Sequence, residues 1–159
     1  MLTICLLCIG KLKEDYLRQG CAEYQKRLRA FCQLRLIELP ESKLPVNPSA
    51  AQISQCLERE GKQVLDKIPP QSFVVALCIE GEQCSSEGFA KVLEQAALSH
   101  GAVTLIIGGS YGLSDQVKQR ADLRLSFSQM TFPHQLARVL LLEQLYRAGT
   151  IQAHMKYHK

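Results

Sequence analysis

Two stretches of the chain, Leu2–Ile9 and Val103–Ile107, are apolar at almost every position. A strand with one face in water alternates apolar and polar residues, whereas a strand buried on both faces reads as a continuous run. Such strands belong to parallel sheets covered by helices on both sides, and the remaining sequence supplies those helices. Lys13–Phe31 carries Tyr16, Leu17, Tyr24, Leu28 and Phe31 at helical spacings, and Leu34–Leu39 alternates as a second strand. Pro48 suits the first turn of a helix that runs through Ile53, Leu57, Val64 and Leu65 and stops at Pro69-Pro70. Phe73–Ile79 reads as a third strand, and Ser85 or Ser86 caps a helix from Glu87 to about Ser99. After Val103–Ile107, Ser114-Asp115 caps a short helix to Arg120, Leu123–Phe127 forms a fifth strand, and Phe132–Ala148 forms the last helix with Pro133 at its first position. The order βαβαβαβαβα predicts one α/β domain over residues 1–159, with a mostly parallel sheet and residues 149–159 as a polar tail.

A chain of 159 residues with 47% hydrophobic and 21% charged residues can bury a sizeable core without staples. No apolar run approaches the roughly 18 residues of a membrane span, and the first residues lack a basic stretch ahead of an apolar one. A cytoplasmic protein with no membrane partner is expected. The seven cysteines point the same way, since an odd number suits a reducing compartment. Cys5-x-x-Cys8 has redox or zinc spacing, but on a strand the two residues lie on opposite faces about 10 Å apart, beyond the roughly 7 Å a disulfide spans. No second Cys or His pair completes a zinc set, so the cysteines read as small core hydrophobes and no metal is expected. Charge is unevenly spread: residues 1–35 carry +4, residues 36–117 carry −5 and residues 118–159 carry +5. Basic ends around an acidic middle suit a surface that meets a polyanion.

The last helix has apolar residues on more than one stripe: Val139, Leu140, Leu141, Leu142, Leu145, Tyr146 and Ala148. One side must cover the sheet, and a second subunit is expected to cover the other, giving a homodimer.

Ligands of open α/β sheets bind at the carboxyl ends of the strands, where two loops stand out. Gly108-Gly109-Ser110-Tyr111-Gly112 follows the fourth strand, and its glycines allow close backbone approach or positive φ. Its spacing fits neither a dinucleotide fingerprint nor a P-loop. Ser126-Phe127-Ser128-Gln129-Met130-Thr131-Phe132-Pro133-His134 leads from the fifth strand into the last helix, and its hydroxyls, amide, Met and aromatics suit an adenosine-like ligand. His134 and Arg138 then fall at i and i+4 on one helical face, as do Glu143 and Arg147. The end, Tyr157-His158-Lys159, is either a disordered tail or a strap over a neighbouring active site.

Four segments taken together, Ile106–Ser114, Leu125–Gln135, Arg138–Ala148 and Tyr157-His158-Lys159, closely resemble the ribosomal RNA large-subunit methyltransferase H family, small bacterial SPOUT methyltransferases. The beginning, Cys8-Ile9-Gly10-Lys11-Leu12-Lys13 and a basic helix with Glu23-Tyr24, is similar as well, so the likeness covers the full chain. The stretch Ala148–Met155 departs from the family's usual wording, which leaves the path of the tail open. The resemblance implies a trefoil-knotted α/β fold, a homodimer and S-adenosylmethionine as methyl donor. It further implies methylation of N3 of a pseudouridine in 23S rRNA, in the subunit-interface stem-loop of assembled ribosomes. By the same resemblance Leu77, Gly108, Gly109, Phe127, Ser128, Gln129, Met130, Thr131 and Phe132 occupy cofactor-binding positions.

The chemistry suits these residues. Methyl transfer from a sulfonium is a direct displacement that needs no metal, and positioning supplies much of the acceleration. The imide N3 becomes a good nucleophile once its proton leaves, which calls for a base or for cations beside the resulting anion. His158, His134 and Glu143 are candidate bases. Tyr157 belongs to the same catalytic group, and Arg138 and Lys159 are candidate anion stabilisers or phosphate contacts. A dimer would bring one subunit's tail near the other's cofactor loop, so a composite site is one arrangement. The competing readings are a ribosome-binding module without activity and a nucleotide-binding oxidoreductase, the latter disfavoured by the misplaced glycines.

Overall fold

The computed structural model describes residues 1–159 as one five-stranded sheet with all neighbours parallel. In chain order the elements are β1 (Leu2–Ile9), α1 (Asp15–Leu28), β2 (Cys32–Leu39), α2 (Ala50–Lys67), β3 (Phe73–Glu82), α3 (Ser86–His100), β4 (Ala102–Ile107), α4 (Asp115–Arg120), β5 (Leu123–Leu125) and α5 (His134–Gln152). The strand order is β2-β1-β4-β3-β5, so the chain steps outward from β1 to β2, crosses to β3, and then inserts β4 between β1 and β3. The two continuous apolar runs are thus the adjacent inner strands β1 and β4, paired from Thr3–Ala102 to Cys8–Ile107.

Alternation along β1 divides the core. Ile4, Leu6 and Cys8 face a larger cluster beneath α1, α3 and α5, whereas Cys5, Leu7 and Ile9 face a smaller one that includes Val64 of α2 and Val117 of α4. Cys5 and Cys8 therefore sit on opposite faces, and all seven cysteines are free. Burial pushes the Cys8 thiol up to about 12 and the Cys32 thiol to about 11, so both stay protonated as apolar fillers.

Five boundaries depart from expectation. α2 starts at Ala50 with Ser49 as its N-cap in a capping box with Gln52, so Pro48 lies outside the first turn. β3 runs on to Glu82 through an irregularity in its register with β5, and Gly81 is required there because a Cβ would lie 2.7 Å from the Arg124 backbone. β5 stops at Leu125 rather than Phe127, since Ser126 turns away with its hydroxyl donating to the Ser128 carbonyl. Pro133 is the N-cap of α5, outside the first helical position. α5 also continues through Gly149 and Thr150 to Gln152, so the segment beyond the helix is shorter than residues 149–159. Gly149 lets the helix press on Phe31, where a Cβ would meet the ring at 2.6 Å, and the Thr150 hydroxyl donates to the Arg147 carbonyl.

Part of the broad apolar surface of α5 is covered within the single chain. Leu141 and Leu142 are completely buried within the single chain, because α5 lies on the sheet between α1 and α3. Val139, Leu140 and Tyr146 remain only half-buried, so this part of the apolar surface is not fully covered within the chain. The same packing sets α1 and α5 side by side on one face of the sheet.

Candidate active site

The carboxyl ends of β3, β4 and β5 open into a cavity of about 720 Å³. Leu77 lies in its wall from β3, Gly108 and Gly109 follow β4, and Phe127, Ser128, Met130, Thr131 and Phe132 come from the loop after β5. These are the expected cofactor positions, with one exception: Gln129 is exposed and lies outside the lining. Ile79, Tyr111, Ala137 and the Glu80–Lys118 ion pair at 2.5 Å also border the cavity. Tyr111 belongs to the glycine loop already singled out, whereas Ile79, Glu80, Lys118 and Ala137 reach the cavity from strand and helix positions with no local signature.

The glycine loop explains how the backbone can form this wall. A Cβ at Gly108 would fall 2.3 Å from the Gly112 carbonyl oxygen, since the loop folds back with the Gly112 N–H donating to the Gly109 carbonyl at 3.1 Å. Gly112 itself has φ +83°, which a branched residue could adopt only with strain. Gly109 is less constrained than expected. Its φ is not positive, and a Cβ there would meet Ile9 at 3.2 Å and Glu41 at 3.3 Å. Ser110 donates to Glu41 at 3.1 Å, which braces the loop from behind. The second wall is held by the Ser128 hydroxyl, which accepts from the Met130 N–H at 3.0 Å.

His134 also lines the cavity. Burial, helped by Arg138 and Lys13, holds its pKa below the ordinary imidazole value, while Glu41 pulls the other way. The ring makes no side-chain hydrogen bond within the chain, so a neutral imidazole borders the cavity with both nitrogens free of protein partners. Arg138, one turn on, is placed differently. It is only 2% exposed, donates to Glu38 at 2.6 Å and to the Gly10 carbonyl at 3.1 Å, and does not line the cavity. Its Nε is buried without a partner. In this arrangement the guanidinium ties α5 to the ends of β1 and β2.

Glu143, Tyr157 and His158 come together on the other side of α5. Glu143 Oε1 accepts from Arg147 Nε at 3.0 Å, Arg147 Nη2 at 2.5 Å and the Tyr157 hydroxyl at 3.2 Å, and its Oε2 accepts from Gln144 at 2.8 Å. With four donors on it, the carboxylate acts as an anchor. Burial, a hydrogen bond to Tyr24 and the Glu143 charge push the Tyr157 phenol up to about 12, so it remains a donor. The Tyr157 ring packs edge-on against Tyr146 with centroids 4.8 Å apart. His158 Nδ1 lies 3.2 Å from Arg147 Nη1, and because a guanidinium only donates, Nδ1 accepts. The ring proton then sits on Nε2, which donates to Glu87 at 2.7 Å. The end of the chain is thus fastened to its own α5 and α3, in contrast to a loose tail. Lys159 is exposed at the terminus. Glu87 and Arg147 escaped notice in the sequence as partners of His158, since the contact joins residues 71 and 11 positions apart.

A smaller cavity of about 300 Å³ separates this cluster from the larger one. It shares Leu125, Ser126, Phe127 and Phe132 with the large cavity and has Glu143 and Gln144 on its far side.

A parallel sheet with a glycine-walled cavity over its carboxyl edge, entered by a loop from the last strand, defines a class of nucleotide-ligand-binding α/β proteins. The chain belongs to the SPOUT methyltransferases: the family model "Predicted SPOUT methyltransferase" matches residues 2–158. It is a methyltransferase by that membership. The chain is 47% identical over 159 residues to "Ribosomal RNA large subunit methyltransferase H" of Leuconostoc citreum, covering 99% of this chain and 100% of that one. It is 51% identical over 155 residues to the protein of the same name from Streptococcus thermophilus, covering 97% and 98%. Among solved structures, a probable methylase family protein from Haemophilus influenzae superposes with a TM-score of 0.56 at 14% identity, covering 98% of this chain and 70% of that one. A probable methyltransferase from Bordetella pertussis gives 0.57 at 13%, covering 91% and 95%. At these identities the likeness speaks to the fold.

Proposed function

We propose that the protein methylates N3 of a pseudouridine in 23S rRNA, within the subunit-interface stem-loop of assembled ribosomes, and that it works as a cytoplasmic homodimer. The observation that carries this reading is the 720 Å³ cavity at the strand ends, lined by residues of a chain nearly half identical to rRNA large-subunit methyltransferases along its whole length. The basic balance of residues 1–35 and 118–159 suits an RNA partner.

The cavity fits S-adenosylmethionine. Its volume lies within the range of small-ligand sites, and its glycine wall is a cradle that a single Cβ at Gly108 would collapse. Leu77, Gly108, Gly109 and residues 127–132 are the groups that would hold it. When bound, it supplies an electrophilic methyl group on a sulfonium. The chain's own task is to place the pyrimidine N3 beside that cavity and to remove its proton. His134 is the residue we assign to the proton, because its neutral imidazole borders the cavity with both ring nitrogens uncommitted. Glu143 and Arg147 hold Tyr157 and His158 beside the smaller cavity, where they shape the approach of the RNA. Lys159 adds a phosphate contact, and Arg138 fixes the start of α5 from below.

Mass spectrometry of 23S rRNA from cells lacking the protein tests this directly. One pseudouridine should lose its methyl group and regain it when the gene returns. A complete methylation pattern in the deletion strain would overturn the assignment.

A further inference from the structure

We propose that Gln144 is the residue that distinguishes pseudouridine from uridine, by reading the N1–H and C2 carbonyl of the target base in the smaller cavity. The inference rests on the function proposed above and deepens it. The cavity of about 300 Å³ is at the lower end of ligand-site volumes and has room for one base. Phe127 and Phe132 are common to both cavities, so a base seated here lies against the wall of the methyl-donor site. Aromatic walls of this kind hold bases taken out of their stack.

The polar side of the cavity is a fixed amide. The Ser86 hydroxyl donates to Gln144 Oε1 at 2.7 Å, and Gln144 Nε2 donates to Glu143 Oε2 at 2.8 Å. An ionised carboxylate accepts only, so Glu143 determines which end of the amide carries the nitrogen. After these bonds the amide retains one N–H and one oxygen lone pair, a donor and an acceptor side by side. Pseudouridine is joined to its sugar through C5, which leaves N1 with a hydrogen; in uridine N1 carries the sugar. Gln144 accepting from N1–H and donating to the C2 carbonyl would grip the one edge that differs between the two. It would leave N3, on the other side of C2, free for methylation. Ser86 and Glu143 act as positioning residues for the amide.

The test compares single-turnover methylation of ribosomes carrying pseudouridine at the target with ribosomes carrying uridine there, prepared from cells lacking the relevant pseudouridine synthase. For the wild-type protein the pseudouridine rate should exceed the uridine rate. Gln144→Leu should lower that ratio by about 10- to 100-fold, the range of one bidentate base contact. Ser86→Ala, a change at a partly exposed position, should lower it by a smaller factor by freeing the amide. An undiminished ratio in both variants would overturn the assignment. So would a folded Gln144→Leu protein equally impaired on both ribosomes. Wild-type protein inert on both would remove the proposed function itself, and this inference with it.

Discussion

The two cavities are neighbours built on different principles. The larger is walled by backbone: the Gly108–Gly112 loop folds on itself, and side chains are excluded where the chain passes close to itself. The smaller is walled by aromatic and hydroxyl side chains. Its polar side, Glu143 and Gln144, belongs to a charged network that runs outside the lining, in which Glu143 gathers Arg147 and Tyr157 and His158 bridges Arg147 and Glu87. A backbone wall tolerates almost no substitution but needs no particular chemistry nearby. A charged network tolerates changes of shape but fails when one partner is removed, because each group depends on the next. The difference suits the division of labour proposed above, with the methyl donor in one cavity and an RNA base in the other.

The sharpest way to break the comparison is at Gly108. Gly108→Val should reduce S-adenosylmethionine affinity by more than about 100-fold in calorimetry, since even a Cβ would fall 2.3 Å from the Gly112 carbonyl oxygen. Gly109→Val should do less, because its Cβ would press on Ile9 and Glu41 at 3.2 and 3.3 Å. Equal effects would mean that the loop is not organised by this close approach.

Removing Tyr157-His158-Lys159 should act on the other cavity alone. Methylation of ribosomes should fall by about 10²-fold or more, within the range of groups that position or exchange protons, while S-adenosylmethionine affinity stays within about twofold. A parallel loss of affinity would merge the two cavities into one unit.

The role given to His134 can be tested by pH. Its pKa is lowered by burial, so the imidazole stays neutral until the pH falls below the usual range. Activity should therefore persist as pH drops through about 6.5 and decline only below it. His134→Asn should lower turnover by about 10²-fold and abolish that acid limb. An acid limb retained in the variant would move the proton to another group.

The smallest effect is expected behind the glycine loop. Glu60 is 5% exposed, and burial raises its pKa although the Ser42 N–H donates to it at 2.9 Å. A carboxyl whose folded pKa lies above its unfolded one favours the fold while protonated, and that contribution is lost as pH rises through the folded pKa. Glu60→Gln should therefore raise the melting temperature at pH 8, by about 2–4 °C for each kcal/mol recovered, with the gain vanishing at acidic pH. A gain independent of pH would point to a packing effect.

The dimer argument shows where sequence reasoning reached its limit. Excess apolar surface on α5 was visible in Val139–Ala148, but what covers it was not, since α1 and α3 arrive from 100 and 50 residues away in the chain. Leu141→Glu is accordingly expected to unfold the single chain, because the residue is fully buried before any partner is added. The proposed homodimer keeps the family resemblance and the half-buried Val139, Leu140 and Tyr146 as its support, while Leu141 and Leu142 belong to the core of the single chain.

What the sequence determined by itself was local or periodic. The strands β1 and β4 announced themselves by unbroken apolar runs, the starts of α3 and α4 by Ser85 and Ser114 as caps, and the cofactor loops by glycine and hydroxyl clusters at strand ends. Only the tertiary structure decided which charges meet. Arg138 was read as an anion stabiliser or phosphate contact, and only the structure adds its bonds to Glu38, 100 residues away, and to Gly10, which tie α5 to the sheet. His158 could be read as loose or as strapped down, and Glu87 straps it. Hydrophobic periodicity repeats every two or 3.6 residues and is written into neighbouring positions, whereas an ion pair depends on how distant elements stack, which no local spacing encodes.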